Sequence, residues 1–299
     1  MTGSTTSNAR PVGLIGVGLM GMACAQRMLA AGLPVIGYDV DAAKLAALEA
    51  VGGRRAPGVA NLARACDRIV LAVFDTAQVE ETVDALLAAG VAAPLTVACV
   101  STCDPDRIAA LAARVPAARL RFVEAPVSGT SGQVAAGDGL GLIGGDPAAA
   151  NAIADVLDAI MPRRHHLGAA GNGGRAKLAI NLILGVNRAA LAEGLVFAQR
   201  LGLDPARFLA VAQDSAAYSQ IMDVKGAKMI AGDTAPAGKL AQSLKDFLLM
   251  REQAARLGQT LPLAEAYIGL VEACVTQGEG ELDNSAVIRE IRRRAAKRH

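Results

Sequence analysis

The stretch VGLIGVGLMG, Val12 to Gly21, constrains this chain more than any other. A short apolar β run passes directly into Gly16, Gly18 and Gly21, and a helical run follows. Each glycine has a physical reason: the first permits a tight strand-to-helix turn, the second lets a ligand approach the backbone, and the third lets the helix pack on the strand. The N–H groups that open the helix then face an anion. Because the strand and helix flank it correctly, the pattern reads as a pyrophosphate cradle rather than a structural turn, with Gly16, Val17, Gly18, Leu19, Met20 and Gly21 as cofactor contacts. The next β run, VIGYD, ends in Asp39, placed to accept hydrogen bonds from the adenosine ribose hydroxyls. A 2′-phosphate would meet like charge there, so NAD is favoured over NADP. Asp41 reads as a helix cap, while Arg54 or Arg55 can in principle fold back toward a phosphate.

From Pro11 to about Leu167, the runs VGLIG, VIGY, RIVLAV, LTVACV and RFVEA alternate with helical segments such as DAAKLAALEA. That alternation predicts a parallel sheet wrapped by helices. Three Asp-Pro pairs, at Asp104, Asp146 and Asp204, each precede a helical run, with Asp suited to the N-cap and Pro to the first helical position. After Gly174 the β signal fades, and a helix of roughly 40 Å is expected to run to about Leu201, where Gly202 can end it. Helical patterns dominate the remainder, broken by AGDTAPAG. The expected fold is therefore α/β, with an N-terminal Rossmann dinucleotide-binding domain over residues 10–170. An all-α C-terminal domain for substrate and subunit contacts, residues 171–299, begins with the long interdomain helix.

With 299 residues and a hydrophobic share of 53%, the chain can fill two cores. The opening MTGSTTSNAR lacks the apolar core of a signal peptide, and the richest apolar run, Leu178 to Ala198, is interrupted by Asn181, Asn187, Arg188 and Glu193. A soluble cytoplasmic protein without a membrane partner is the expectation. Five cysteines without CxxC spacing argue for buried, reduced thiols and against a disulfide framework or a metal site. A formal charge of +2 gives no reason to expect nucleic acid. The basic tail IREIRRRAAKRH reads as solvated cations complementing a helix C-terminus.

A second stretch, GNGGRAKLAIN, places Lys177 and Asn181 four residues apart, on one helix face. Lysine is disfavoured in a first helical turn, and partial desolvation there would bring it toward the range useful for proton transfer. The alternative is a lysine snorkelling to water from an interdomain helix. Together with the glycine cradle upstream, the pair points to hydride transfer with Lys177 as acid/base.

From Val12 to about Ile288 the chain resembles the β-hydroxyacid dehydrogenases, the family of 3-hydroxyisobutyrate dehydrogenase and tartronate semialdehyde reductase. Four ordered motifs carry the resemblance: GLIGVGLMG, EAPVSGTSGQVAAGD, GNGGRAKLAIN and SLKDFLLM. It implies that Ser128, Gly129 and Thr130 hold a substrate carboxylate, that Lys177 is the catalytic acid/base, and that Asn181 orients lysine and substrate. It also implies cofactor contacts at Val73, Phe74, Gln78 and Thr102, and a second-domain lysine, Lys245, reaching toward the cofactor. A homodimer or homotetramer is implied as well.

This chain departs from the family pattern at three positions. Thr130 follows Gly129 where a second glycine is usual, which reshapes the carboxylate pocket. Phe74 stands where proline is common, and Ile180 replaces the first of two adjacent asparagines. None removes a group the chemistry requires. The expected reaction is reversible oxidation of a small 3-hydroxy acid, or reduction of its semialdehyde. An imine reductase on the same scaffold and a non-catalytic NAD-binding protein are the alternatives; the intact Ser128, Lys177 and Asn181 set counts against both.

Overall fold

The computed structural model describes residues 10–296; the opening segment and the last three residues of the basic tail lie outside them. The chain forms two compact units, one up to Lys177 and one from Leu178 onward. The start of the long helix is hydrogen-bonded to Glu124 within the first unit.

In the first unit, among the described residues, nine strands join one sheet: β1 Val12–Ile15, β2 Val35–Tyr38, β3 Arg54–Arg55, β4 Arg68–Leu71, β5 Leu95–Cys99, β6 Leu120–Glu124, β7 Val127–Ser128, β8 Leu140–Gly145 and β9 Arg163–His166. The strands of the order β3-β2-β1-β4-β5-β6 are parallel throughout, and the side on which successive strands are added switches between β1 and β4, the crevice at which doubly wound sheets bind ligands. Period-2 alternation divides the side chains between two layers: Val12, Leu14 and Val70 pack on one face, and Ile15, Ile69 and Leu71 on the other.

Beyond these six parallel strands the sheet is mixed. β8 runs antiparallel to both β6 and β7, and β9 lies parallel to β8. The sequence GLGLIGG hides β8 because its glycines answer to packing rather than to strand propensity. A Cβ on Gly141 would lie 2.4 Å from the Met161 sulfur, and one on Gly144 would lie 2.5 Å from a Glu124 carboxylate oxygen.

All three Asp-Pro pairs cap helices: the side chains of Asp104, Asp146 and Asp204 accept from backbone N–H groups of Pro105–Arg114, Pro147–Asn151 and Pro205–Gln213. Asp41 caps Ala42–Ala50 in the same way. The long helix spans Asn172–Arg200. By length and composition alone it would pass as a membrane span. In the second unit, however, its Leu191, Ala192, Leu195 and Val196 are buried in the core, with Phe247, Tyr267 and Val271 from neighbouring helices. Its Arg188 is buried too, and donates to the Tyr267 hydroxyl at 2.6 Å. The helix Val287–Ala296 carries much of the basic tail, and ion pairs with Glu279 and Glu290 engage Arg289, Arg293 and Arg294. Those arginines hold Glu279 and Glu290 below their ordinary range.

Candidate active site

The glycine turn leaves β1 with Gly16 at φ +89°, a conformation that disfavours any side chain. A Cβ there would also lie 2.4 Å from the Ala72 carbonyl, just past the end of β4. Gly21 is equally constrained, since its Cβ would stand 2.0 Å from the Gly16 carbonyl. At Gly18, the N-cap of helix Leu19–Ala30, nothing lies within 4 Å of a built Cβ. The turn is therefore closed on its protein side and open where a diphosphate would approach, so these residues fit a dinucleotide.

Asp39 follows β2 and is nearly buried, its side chain 7% exposed. Its Oδ2 accepts from Val17 N at 2.7 Å and its Oδ1 from Asp41 N at 2.9 Å. Lys44 Nζ stands 3.5 Å away. The carboxylate thus ties the glycine turn to the loop after β2. Arg55, in β3, is engaged in a bidentate pair with Glu49.

The other expected cofactor contacts follow β4 and β5. The Val73 carbonyl accepts from the Ser101 hydroxyl at 2.7 Å, so the two loops are bonded to each other. Phe74 is exposed, and its N–H donates to the Gln78 side chain at 2.9 Å. Gln78 N in turn donates to Asp75, the cap of helix Thr76–Ala88. Thr102 is buried. Val17, Val73, Phe74 and Thr102 all lie at or just beyond the carboxyl ends of parallel strands.

Ser128 ends β7, with Gly129 next at φ +144°. Thr130 opens the short helix Ser131–Ala135 with a reciprocal capping box: its N–H donates to Gln133 Oε1 at 2.9 Å, and its hydroxyl oxygen accepts from Gln133 N at 3.2 Å. Of the three residues expected at a carboxylate, Thr130 therefore has its donors committed locally to Gln133.

Four residues before Ser128, Glu124 ends β6 and is 3% exposed. Its oxygens accept from Gly171 N at 2.8 Å, Gly173 N at 3.0 Å and Gly174 N at 2.9 Å. Burial pushes this carboxyl above its ordinary range, against the opposing pull of those three N–H groups. Side chains cannot be accommodated here: a Cβ on Gly174 would sit 2.7 Å from Glu124 Oε1, and one on Gly173 would sit 2.4 Å from the Leu142 carbonyl.

Lys177 is buried, 7% exposed. Because the helix begins at Asn172, Lys177 lies in its second turn rather than its first. The dipole penalty inferred from sequence, which fades beyond one turn, is correspondingly small, and burial is what sets this lysine apart. Asn181 stands one turn further on, in the second unit. Its Nδ2 donates to Asp246 Oδ2 at 2.9 Å. Asp246 is buried, and also faces Lys245 Nζ at 3.1 Å and Gln242 Nε2 at 3.3 Å. Read from sequence alone, Lys245-Asp246 is an exposed charge pair; within helix Leu240–Arg256 both side chains are largely buried.

The strand order, the open glycine turn and the carboxylate after β2 define a Rossmann dinucleotide-binding protein. Residues 11–168 match the NAD-binding domain model of 6-phosphogluconate dehydrogenase, and residues 171–291 match the model described as NAD-binding of NADP-dependent 3-hydroxyisobutyrate dehydrogenase. Similar proteins include L-threonate dehydrogenase of Cupriavidus necator, 31% identical across 94% of this chain and 96% of that one. Another is 2-hydroxy-3-oxopropionate reductase of Escherichia coli, 30% identical across 94% and 96%. A crystal structure of 3-hydroxyisobutyrate dehydrogenase from Salmonella typhimurium superposes with a TM-score of 0.85 at 30% identity, covering 93% of this chain and 98% of that one. The chain belongs to the β-hydroxyacid dehydrogenase family, NAD(P)-dependent oxidoreductases that act on CH–OH groups.

Proposed function

We propose that this protein interconverts a small 3-hydroxy acid and its semialdehyde using NAD, with Lys177 as the acid/base. The observation that carries the proposal is a buried lysine in the same compact unit as the glycine turn and Ser128. The glycine turn from Gly16 to Gly21 would hold the diphosphate and Asp39 the adenosine ribose, with Val73, Phe74, Gln78, Thr102 and Lys245 completing the cofactor contacts. Asp39 supports NAD over NADP because its carboxylate stands where a 2′-phosphate would bring a second negative charge. When bound, NAD would supply the hydride acceptor for oxidation and its reduced form the hydride donor for reduction.

The Ser128 hydroxyl and Gly129 N–H bind the substrate carboxylate, with Thr130 as a wall of that pocket. Neutral Lys177 accepts the proton of the substrate hydroxyl in oxidation, and its ammonium returns a proton to the developing alkoxide in reduction. Asn181, whose Nδ2 is occupied by Asp246, presents Oδ1 to the lysine or the substrate hydroxyl. We further propose a cytoplasmic homodimer or homotetramer without nucleic-acid or membrane partners. A near-neutral charge balance supports the absence of polyanion partners, and exposed Ile183 and Phe197 on the long helix support a subunit interface.

Initial rates with NAD and NADP across 3-hydroxy acids bearing hydrogen, methyl, hydroxyl and larger substituents test the proposal. NAD-dependent turnover is expected, with a preference showing what the pocket beside Thr130 admits. Silence across the panel, with NAD still bound, would overturn it.

A further inference from the structure

The Glu124 carboxylate has no role in the chemistry above, yet it is among the most heavily hydrogen-bonded side chains in the first unit. It closes strand β6 after the buried pair Phe122 and Val123, and its two oxygens accept from three backbone N–H groups where the chain enters the long helix. An ionised acceptor makes such bonds stronger than neutral ones. The surrounding backbone is fitted to this carboxylate on both sides, since Gly144 of β8 and Gly174 of the helix lack room for a Cβ because of it.

The chain continues from Glu124 through Ala125, Pro126 and Val127, all buried, to Ser128. Lys177 stands three residues beyond Gly174, within one helical turn of the last N–H that Glu124 holds. One short rigid segment therefore carries the proposed carboxylate ligand at one end, and at the other the group that fixes the start of the lysine's helix. The division between units falls immediately after Lys177, so this anchorage lies wholly inside the first unit.

We propose that Glu124 is a positioning residue, a strut that sets Lys177 relative to Ser128 by pinning the first turn of the long helix to the strand leading into the substrate loop. The proposal rests on the function assigned above for its catalytic consequence, but not for its geometry. Other contacts at the helix start do not do the same work. Arg175 bridges Asp106 and Asn172 at 2.8 Å each, but it is half-exposed and holds the outer side of the turn through flexible side chains.

The test compares Glu124→Gln with Arg175→Ala in the full-length protein. Glutamine keeps the shape but turns an NH2 group toward a backbone N–H, so at least one of the three bonds becomes a clash of donors. Two readouts are taken: steady-state kinetics, and the rate at which acetic anhydride labels Lys177, measured by peptide mass spectrometry with exposed Lys44 as internal standard. In Glu124→Gln, Lys177 is expected to label about fivefold faster or more, as it gains access to reagent through local opening. Its kcat is expected to fall about tenfold or more, with KM for NAD within about twofold of wild type. Arg175→Ala should match wild type in both readouts.

Lys177 labelling that stays within about twofold of wild type in Glu124→Gln would overturn the strut, as would an equal rise in Arg175→Ala, which marks general fraying. If wild type turns over no 3-hydroxy acid while the labelling contrast holds, the substrate assignment fails and the strut stands. Should Glu124→Gln not fold, Glu124→Asp keeps the charge with one methylene less reach. The same labelling contrast is expected from it, and wild-type labelling in that variant would equally overturn the proposal.

Discussion

Asn181 Nδ2 donates to Asp246 Oδ2 across 2.9 Å, and this contact fixes which way the asparagine amide faces. With the NH2 group bonded to a buried carboxylate, the carbonyl oxygen is the end available for the role proposed above. Replacing Asp246 by Asn removes the charge and lets the Asn181 amide flip. A hydrogen bond to a charged partner is typically worth about 1.5–3 kcal/mol, so kcat should fall by about 10- to 100-fold with NAD affinity nearly unchanged. Steady-state kinetics at saturating NAD decide it, and wild-type kcat in Asp246→Asn would remove Asp246 from the site.

Lys177 bears the proton in the proposed reaction, and in the described structure it lies on the long helix rather than on the nucleotide loops. Lys177→Ala should therefore lose about 10³-fold or more in kcat, while NAD binding by fluorescence titration stays within about twofold of wild type. Turnover close to wild type would sink the assignment of the acid/base.

Asp39 serves two purposes that a single substitution can separate. It receives the Val17 and Asp41 N–H groups, and in the NAD site proposed above its charge would oppose a 2′-phosphate. Serine at this position can still accept one N–H bond but carries no charge. Asp39→Ser should lower the NAD-to-NADP ratio of kcat/KM by about tenfold or more, because repulsion of the 2′-phosphate disappears while the ribose loses its acceptor. An unchanged ratio would show that the preference is set elsewhere, with Lys44 the nearest charged candidate.

The five cysteines are all buried and unpaired. Burial pushes Cys24 up to about 12, and Cys66 and Cys274 up to about 11, leaving very little thiolate at neutral pH. Thiol titration with an aromatic disulfide at pH 8 should be slower by about 100-fold or more in native protein than in denaturant. Rapid native release of even one equivalent would contradict this.

Much of the nucleotide half was legible from the sequence, because its signals are local. The GxGxxG turn, the acid after β2 and the Asp-Pro caps each depend on residues within a few positions of one another, and each appears where the pattern placed it. β8 was illegible for the opposite reason: a run rich in glycine makes a strand here only because Met161 and Glu124 fill the space side chains would take, and β9, the run RRHH, has no apolar alternation to mark it. Glu124 and Asp246 were missed as site residues because their partners lie 47 to 65 positions away. Glu124 did leave one trace: the strand LRFVE ends in an acidic residue directly after the apolar pair Phe122-Val123, which implies a buried partner. The position of Lys177 was off by a turn, since Asn172 and Gly173 are weak helix formers drawn into the helix by Glu124 and the backbone around it.

In the second unit, Lys225 and Asp283 form an ion pair with almost no solvent exposure, Nζ standing 2.7 and 2.8 Å from the two carboxylate oxygens. Asp283 also accepts from the N–H groups of Ala237, at 2.8 Å, and Ser285, at 3.0 Å. Burial opposes the Asp283 charge, but the ammonium and the N–H groups outweigh it and draw the carboxyl down to about 2. A carboxyl lowered on folding stabilises the protein above its unfolded value and loses that contribution as pH falls through the folded value. The window for Asp283 therefore runs from about pH 4 down to about 2, and is worth about 2 kcal/mol. Burial also pulls Lys225 below its ordinary value, with the Asp283 carboxylate opposing that shift. Lys225→Met strands a buried carboxylate and should cost about 3–5 kcal/mol, moving the acid-unfolding midpoint to higher pH. Adding Asp283→Leu should recover only part of that loss, because the Ala237 and Ser285 N–H groups are then left without their acceptor. Urea unfolding at pH 7 and pH 3 measures both effects, and a Lys225→Met protein as stable as wild type at both pH values would show that the carboxylate finds compensation elsewhere.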